Sequence, residues 1–296
     1  MTENLEGMSL NSKNILITGG SRGFGFSLAK YLLQCGANIV ICGKSRENLD
    51  FAKKNLNSIK KDKQRVEVFE VDVTVESGVE KLEKDISSTL GFIEILINNA
   101  GEIGPIGDFL ENNISNWKKT FDLNLFGSVF MIQKFLPAML ENRKGRIIQL
   151  SGGGASTPLR GMSAYSASKS AIVRFIETIA LESQNSGVYI NSIAPGMLKT
   201  KLLTEMILAG PEKIGVKLFE RALLKDKESI DSTFVACQLI HFLCSEESKG
   251  ISGKLISAEW DNWQSWPSHL NDLSNSDVYT IRRITGVDRD FKWGDK

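Results

Sequence analysis

The chain has 296 residues, and its 36 lysines and arginines nearly balance its 35 aspartates and glutamates, giving a formal net charge of +1. This balance creates no bulk field that attracts nucleic acid or an anionic membrane, so we expect neither as a partner. The length suffices for one large α/β domain or two small ones with a sizeable core.

Residues that mark metal sites or disulfide frameworks are few and scattered. The cysteines show no CxxC or zinc-like spacing and the histidines are isolated, at Cys35, Cys42, Cys237, Cys244, His241 and His269. We therefore expect buried thiols in a reducing compartment and no metal. The N-terminus shows no signal-peptide pattern and the longest apolar runs are strand-sized, which predicts a cytoplasmic protein.

Short β-branched runs alternate with longer helical patterns along most of the chain. The runs that predict strands are 13–18, 37–42, 65–73, 93–101, 146–151, 188–196 and 253–259. Strands separated by helices pair in parallel through right-handed crossovers, with helices on both faces of the sheet. The unbroken apolar character of the runs fits strands buried on both sides. The sequence predicts a doubly wound parallel α/β sheet, a Rossmann fold, in a single domain at 13–259 after a polar segment at 1–12.

The first predicted strand leads into a glycine-rich turn, "TGGSRGFG" at 18–25, which opens the first helix. Its glycines are Gly19, Gly23 and Gly25. Glycine at such a turn lets the backbone approach a pyrophosphate, which then rests on the amides of the helix N-terminus. Because the turn lies between a strand and a helix, it indicates a dinucleotide site.

The end of the second strand bears on which dinucleotide is bound. A carboxylate there would hydrogen-bond the ribose 2′-hydroxyl of NAD, but this strand is followed by Lys44. Lys44 and Arg22 could instead meet the 2′-phosphate of NADP. The alternative is that both are solvated surface cations. We expect NADP(H) as the preferred cofactor, with NAD(H) possible.

Six motifs occur in order along the chain. They are "TGGSRGFG", Asp72-Val73, "NNAG" at 98–101, Asn124 in "NLFG", "YSASK" at 165–169 and "NSIAPGMLKT" at 191–200. With this set the chain resembles the short-chain dehydrogenase/reductase family from about residue 12 to residue 259. The resemblance implies that Asp72 and Val73 meet the adenine and that Asn98 and Gly101 form a turn beneath the cofactor.

The resemblance also implies that the segment after the sixth strand holds the nicotinamide carboxamide. Together with the glycine turn and the basic residues, the expected cofactor-binding residues are Gly19, Ser21, Arg22, Gly23, Phe24, Gly25, Lys44, Asp72, Val73, Asn98, Ala100, Gly101, Tyr165, Lys169, Pro195, Gly196 and Thr200. In this family the segment that follows forms a lid over the substrate.

Tyr165, Lys169 and Asn124 resemble the family's proton-transfer apparatus. A free tyrosine has a pKa near 10 and is a poor base at neutral pH. Helical i, i+4 spacing places Lys169 on the same face as Tyr165, where its ammonium would stabilise a phenolate. Asn124 would hold a water that links the lysine to solvent. These residues predict an oxidoreductase that interconverts a secondary alcohol and a ketone by hydride transfer.

One position departs from the family pattern. The family has a serine thirteen residues before the tyrosine, and here that residue is Gly152. Ser151 is the nearest hydroxyl, and a one-residue shift along a strand turns its side chain to the other face. A bulge in the glycine run could bring Ser151 into the site, Ser156 or Ser163 could supply the hydroxyl, or backbone amides could bind the oxygen. Ser151 is our catalytic candidate.

Residues 260–296 form an aromatic-rich extension beyond the usual family length. It holds four of the five tryptophans, Trp260, Trp263, Trp266 and Trp293. The segment could cover a sheet edge, contact another subunit or close over the substrate pocket. Aromatic and arginine residues are enriched at interfaces, so we favour subunit contact and expect a homodimer or homotetramer.

The substrate is not readable from the sequence, because pockets of one fold serve many chemistries. A small-molecule sugar alcohol and a 3-oxoacyl thioester both fit the predicted reaction. The alternative to an enzyme is a catalytically impaired binding module that uses the nucleotide pocket as a sensor or scaffold. Gly152 favours that alternative, while Tyr165, Lys169 and Asn124 oppose it.

Overall fold

A seven-stranded parallel sheet is the central element of the computed structural model, which describes residues 8–228, 233–291 and 293. The strands are β1 Asn14–Thr18, β2 Asn38–Gly43, β3 Val66–Glu70, β4 Ile95–Asn98, β5 Gly145–Leu150, β6 Val188–Ala194 and β7 Leu255–Ser257. Their spatial order is β3-β2-β1-β4-β5-β6-β7, and every neighbouring pair is parallel. The predicted α/β fold with a parallel sheet is confirmed, and each predicted run overlaps its strand, with β2 and β5 each extending one residue beyond their runs.

Helices connect the strands and cover both faces of the sheet. They are α1 Gly23–Gln34, α2 Arg46–Ile59, α3 Glu76–Thr89, α4 Ile114–Phe121, α5 Gly127–Glu141, α6 Ser163–Glu182, α7 Lys201–Ile214, α8 Val216–Lys227, α9 Thr233–Cys244 and α10 Leu270–Ser274. A π-helical segment, Asp122–Phe126, joins α4 to α5. The change of direction in strand order lies between β1 and β4, where the carboxyl ends of strands open a crevice.

The sheet divides the core into two apolar layers because successive side chains of a strand point to opposite faces. Ile15 and Ile17 of β1 pack in the layer with α1 and α9, while Leu16 between them packs in the layer with α3 and α5. All three are fully buried. Burial on both faces explains why the strands read as continuous apolar runs.

Among the described residues, one helical stretch, Ile114–Glu141, is long and apolar enough to cross a membrane by length and composition. The sequence analysis missed this stretch because polar residues interrupt its apolar runs. Met131, Ile132 and Met139 of α5 are buried in the core layer that also contains α3. The stretch therefore packs as a core helix against the sheet.

The residues after β7 fold back onto the body of the protein. Trp263 and Trp266 are buried in the core layer that contains α9, and the ring of Trp263 lies 5.3 Å from that of Phe242. Trp260 and Trp293 are exposed. Two of the four tail tryptophans thus contribute to the core of this chain itself.

A later part of the tail covers the open edge of β7. The backbone amide of Leu255 donates to the carbonyl oxygen of Tyr279 at 2.8 Å. The buried Lys254 donates through Nζ to the carbonyl oxygens of Ser276 and Val278, at 3.2 and 2.9 Å. Covering an edge strand protects it from pairing with another chain. These contacts support the covering of a sheet edge, one of the three roles that the sequence left open for the tail. Subunit contact, the oligomeric state and the domain limits stay predictions.

Replacing Trp263 by alanine should destabilise the protein by about 3–5 kcal/mol, because the change leaves a large cavity in a packed core. The matched control is Trp260→Ala, which removes a side chain that is 76% exposed and should cost less than about 1 kcal/mol. Urea unfolding followed by circular dichroism measures both losses. Equal losses for the two variants would contradict the packing of the tail.

Candidate active site

A cavity of about 1360 Å³ runs along the carboxyl edge of the sheet. Its walls come from the segments that directly follow the strands, including Gly19 after β1, Lys44 after β2, Gly101 after β4 and Ser151 after β5. Helices α7 and α8 and residues from the tail complete it. Ligands of open α/β sheets bind at this edge.

The glycine turn is folded so that its backbone is exposed to this cavity. A β-carbon on Gly25 would lie 2.5 Å from the carbonyl oxygen of Gly19, so a side chain does not fit there. The side chain of Asn99 holds the turn from below by donating to the carbonyl oxygens of Thr18 and Gly19, at 2.9 and 3.2 Å. The turn is therefore packed tightly on its inner side.

The outer side of the turn is open and suited to an anion. Gly23 has no atoms within 4 Å of the position of a β-carbon. Helix α1 begins there without a side-chain cap and without an acidic residue in its first turn. Uncapped amides and the positive end of the helix dipole form an anion site. These residues fit the pyrophosphate of a dinucleotide.

The end of β2 presents a cation to the same part of the cavity. Lys44 is exposed, and its Nζ lies 3.5 Å from Oδ2 of Asp72. Asp72 also accepts hydrogen bonds from the backbone and hydroxyl of Thr74, at 3.0 and 2.8 Å. Burial by itself would raise the pKa of Asp72, but the bonds from Thr74 and the charge of Lys44 hold it below its ordinary value. Lys44 is thus placed at the nucleotide end, with Asp72 as its present partner.

Tyr165 and Lys169 lie one turn apart on α6, as their spacing predicts. Nζ of Lys169 donates to the carbonyl oxygen of Leu150 at 2.9 Å and lies 5.8 Å from the centre of the Tyr165 ring. A β-carbon on Gly101 would lie 3.5 Å from this Nζ. Lys169 of this pair thus lies against the ends of both β4 and β5.

Burial controls the protonation of this pair. It raises the pKa of Tyr165 to about 12 and lowers the pKa of Lys169 to about 8. The sequence analysis expected the lysine to lower the pKa of the tyrosine, whereas burial raises it here. Exclusion of water disfavours the phenolate, and Nζ of Lys169 lies 5.8 Å from the centre of the ring. Tyr165 is therefore a protonated phenol at neutral pH.

Asn124 is placed by the π-helical segment, a local distortion that is frequent at functional sites. Its Oδ1 accepts from the backbone amide of Glu102 at 2.9 Å, and its Nδ2 donates to the carbonyl oxygen of Glu102 and to Oγ of Ser168. The side chain is fully buried and forms no part of the cavity wall. Its contacts fix the loop after β4, and its expected water-holding role stays a prediction.

The other expected cofactor residues divide into two groups. Asn98 is buried in β4, where its Nδ2 lies 3.4 Å from the carbonyl oxygen of Ser128, and it does not reach the cavity. The wall residues are Gly19, Ser21, Arg22, Gly23, Phe24, Gly25, Lys44, Asp72, Val73, Ala100, Gly101, Tyr165, Lys169, Pro195, Gly196 and Thr200. The structure thus brings all but Asn98 of the predicted set to one cavity.

Gly152 leaves room for the tyrosine hydroxyl. A β-carbon at this position would overlap the hydroxyl oxygen of Tyr165 and lie 3.2 Å from its Cζ. The backbone here is extended, with φ 173° and ψ 171°. The hydroxyl of Tyr165 therefore lies where a side chain at 152 would begin.

The candidate hydroxyls near Gly152 have different surroundings. Ser151 lines the cavity, and its buried Oγ has no hydrogen-bond partner among the described residues. Ser156 also lines the cavity and is exposed. Ser163 forms no part of the wall and instead accepts a hydrogen bond from the indole of Trp117 at 3.1 Å. Ser151 and Ser156 remain candidates, while Ser163 is engaged elsewhere.

Sequence reasoning missed several wall residues from the lid and the tail. The lid supplies Met197, Leu202, Met206 and Leu218, and the residues after β7 supply Trp260 and Tyr279. The i, i+4 spacing of Leu202 and Met206 was a signal for one apolar face of α7. No comparable local pattern marks Tyr279, which reaches the cavity through its pairing with β7.

Comparison with known proteins agrees with the fold. A family profile described as short chain dehydrogenase matches residues 13–208. An uncharacterized oxidoreductase of Staphylococcus epidermidis is 32% identical over 195 residues, which span 65% of this chain and 81% of that relative. The chain belongs to the short-chain dehydrogenase/reductase family and is an oxidoreductase of that family.

Solved structures share the fold across most of the chain. L-sorbose reductase from Gluconobacter frateurii, complexed with NADPH and L-sorbose, is 26% identical with a TM-score of 0.74 and covers 85% of this chain and 96% of its own. NAD+-bound xylitol dehydrogenase is 22% identical with a TM-score of 0.76 and covers 84% and 98%. The two proteins hold different dinucleotides on the same fold.

Replacing Gly152 by alanine should reduce turnover at least tenfold, because the new methyl group would displace the hydroxyl of Tyr165, and small misplacements of a reacting group are costly. Gly153→Ala is the matched control, since a β-carbon there meets nothing within 4 Å. Steady-state kinetics and melting temperatures of both variants test this expectation. Normal turnover by Gly152→Ala would contradict it.

Proposed function

We propose that the protein is an NADP(H)-dependent oxidoreductase that interconverts a secondary alcohol and a ketone. The observation that carries the proposal is the placement of the Tyr165–Lys169 pair in the same cavity as the uncapped N-terminus of α1. One end of the cavity is suited to a pyrophosphate and the other presents a phenol that can exchange a proton. A bound nicotinamide would supply the hydride chemistry.

The residues of the chain have separate tasks in this proposal. The turn from Gly19 to Gly25 binds the pyrophosphate, Asp72 and Val73 border the adenine, and the segment from Pro195 to Thr200 orients the nicotinamide. Lys169 is held by the carbonyl of Leu150 and would bind the nicotinamide ribose. These contacts orient the reacting carbon, which is the main contribution of the protein to hydride transfer.

Tyr165 is the general acid in the reducing direction. Because burial holds its pKa at about 12, the phenol carries a proton at neutral pH and can donate it to the carbonyl oxygen. In the oxidising direction the same oxygen must take up the proton, which requires a cation nearby. The charged form of Lys169 serves that purpose, and Asn124 positions the loop beside it.

Ser151 is proposed as the hydrogen-bond partner of the reacting oxygen. Its buried Oγ has no partner among the described residues, and the residue belongs to the cavity wall next to Gly152. An unpartnered buried hydroxyl is costly unless a ligand satisfies it. Ser156, on the same loop, is the second candidate for this role.

The preference for NADP(H) rests on the charges at the end of β2. Lys44 and Arg22 both border the nucleotide end of the cavity. The present partner of Lys44 is the carboxylate of Asp72, which lies 3.5 Å away and is part-exposed. A 2′-phosphate is a stronger partner for Lys44 because it carries more charge than a carboxylate. NAD(H) would lack this contact and bind more weakly.

A panel of secondary alcohols and ketones with both cofactors tests the function, with the absorbance of the reduced nicotinamide as the readout. We expect turnover of some members of the panel, and Tyr165→Phe should lose it because the proton donor is removed. Absence of turnover across the panel, with binding of NADPH retained in calorimetry, would favour the sensor or scaffold instead.

Lys44→Ala should raise the KM for NADPH about tenfold and leave the KM for NADH nearly unchanged, since one charged contact contributes roughly 1.5 kcal/mol. Lys54→Ala is the matched control, because it removes the same charge from an exposed site on α2 outside the cavity wall. Wild-type protein should show the lower KM with NADPH. A lower KM with NADH would contradict the preference.

The pH dependence of kcat/KM for the cofactor reports the groups of the free protein. Below about pH 8 Lys169 is charged, and above it the lysine loses its proton because burial lowers its pKa to about 8. We expect carbonyl reduction to be level near neutrality and to fall as the pH rises through about 8. Lys169→Arg should move the fall to higher pH. A profile that stays level beyond pH 9.5 in the wild type would contradict the role of the charge.

A further inference from the structure

The part of the cavity next to Tyr165 differs in character from the nucleotide end. Seven apolar side chains both border the cavity and pack in one cluster with the Tyr165 ring, namely Ile103, Leu159, Met162, Met197, Leu202, Met206 and Leu218. They come from the loop after β4, the loop before α6, the loop after β6, and helices α7 and α8. We name these seven residues the apolar chamber.

Three of the seven residues of the apolar chamber are methionines. Met162 is almost fully buried, Met206 is 9% exposed, and Met197 is part-exposed. Methionine is unbranched and polarisable, so its side chain adapts to apolar groups of different shape. A wall of this kind suits a hydrocarbon surface better than a fixed set of hydroxyl groups.

Polar side chains behind the loop after β4 are paired with each other. Ser163 accepts from the indole of Trp117 at 3.1 Å. The hydroxyl of Thr120 lies 3.3 Å from Oε1 of Glu102, and Asn124 holds the backbone of Glu102. These groups satisfy one another and stabilise the loop that carries Ile103.

Two charged side chains of the lid form ion pairs. Lys201 contacts Glu205 at 3.2 Å, and Arg221 lies 3.8 Å from Glu259. A polyhydroxylated substrate would place hydroxyl groups against the apolar side chains of the chamber, which offer no hydrogen-bond partners, and this burial is unfavourable. An apolar substituent would bury surface against the methionines with no such cost.

We propose that the substrate is a ketone, or the corresponding secondary alcohol, that carries a hydrocarbon substituent next to the reacting carbon and places it in the apolar chamber. This proposal rests on the proposed function and narrows it, since it disfavours the sugar alcohols that the sequence left open. A bound reduced nicotinamide would supply the hydride to the carbonyl carbon, while Tyr165 donates its proton to the oxygen and regains one from solvent. The products are the secondary alcohol and the oxidised cofactor.

The first test compares methyl ketones from 2-butanone to 2-nonanone with L-sorbose and D-fructose, using NADPH. We expect kcat/KM to rise about fourfold for each added methylene along the series, because each is buried against the chamber, and to exceed that of either sugar. Faster turnover of the sugars than of every methyl ketone would overturn the proposal and leave the proposed function intact. Absence of turnover of all probes would overturn both.

The second test uses a matched pair of substitutions on α7. Met206 faces the chamber, whereas Leu208 on the same helix is 80% exposed and outside the cavity wall. Met206→Gln should lower kcat/KM for 2-nonanone at least tenfold through KM, with little change for 2-butanone. Met206→Leu should keep kcat/KM for 2-nonanone near the wild-type value, and Leu208→Gln should leave it unchanged.

A merely structural role of Met206 would give a different result. In that case Met206→Gln would lower kcat/KM for both ketones by the same factor and would also lower the melting temperature. Met206→Leu would bring kcat/KM for both ketones back toward the wild-type values by the same factor. Equal loss for 2-nonanone and 2-butanone would therefore overturn the proposal. Loss confined to the longer ketone supports it.

Discussion

Strand β4 pairs in parallel with β1 on one side and with β5 on the other. The three segments that follow these strands therefore lie side by side at the carboxyl edge of the sheet. Thr18 at the end of β1 shows how closely they are joined, because its hydroxyl accepts from the amides of Asn99 and Ala100, both at 3.0 Å. The glycine turn and the loop after β4 are thereby fixed to each other. The loop after β5 adds Ser151 and Gly152 beside them, so the geometry of the cavity depends on the register of these strands.

Burial then decides the chemistry of the groups placed there. Exclusion of water is the cause that shifts the pKa of both Tyr165 and Lys169. The result is a phenol that keeps its proton and a lysine whose charge is sensitive to pH near 8. Such a pair suits a reaction in which a proton is handed to a carbonyl oxygen.

The missing side chain at Gly152 has a spatial explanation. The hydroxyl of Tyr165 lies against the backbone at this residue, and no β-carbon fits between them. A serine at the same place would require the tyrosine to move. The bare loop therefore makes room for the hydroxyl of Tyr165, and Ser151 is the neighbouring hydroxyl that we propose as the partner of the reacting oxygen.

The sequence by itself determined the parallel α/β fold class, the glycine turn and the Tyr165–Lys169 pair, because periodicity and i, i+4 spacing are local properties of a chain. Most strand runs were predicted too long and those of β2 and β5 were shifted by one residue, since pairing partners decide where a strand begins and stops. Only the tertiary structure decided the direction of the pKa shifts, the fit of Tyr165 against Gly152, the apolar chamber and the return of the tail over β7. Each of these depends on contacts between residues distant in the chain, and burial, which sets their energies, has no local signature.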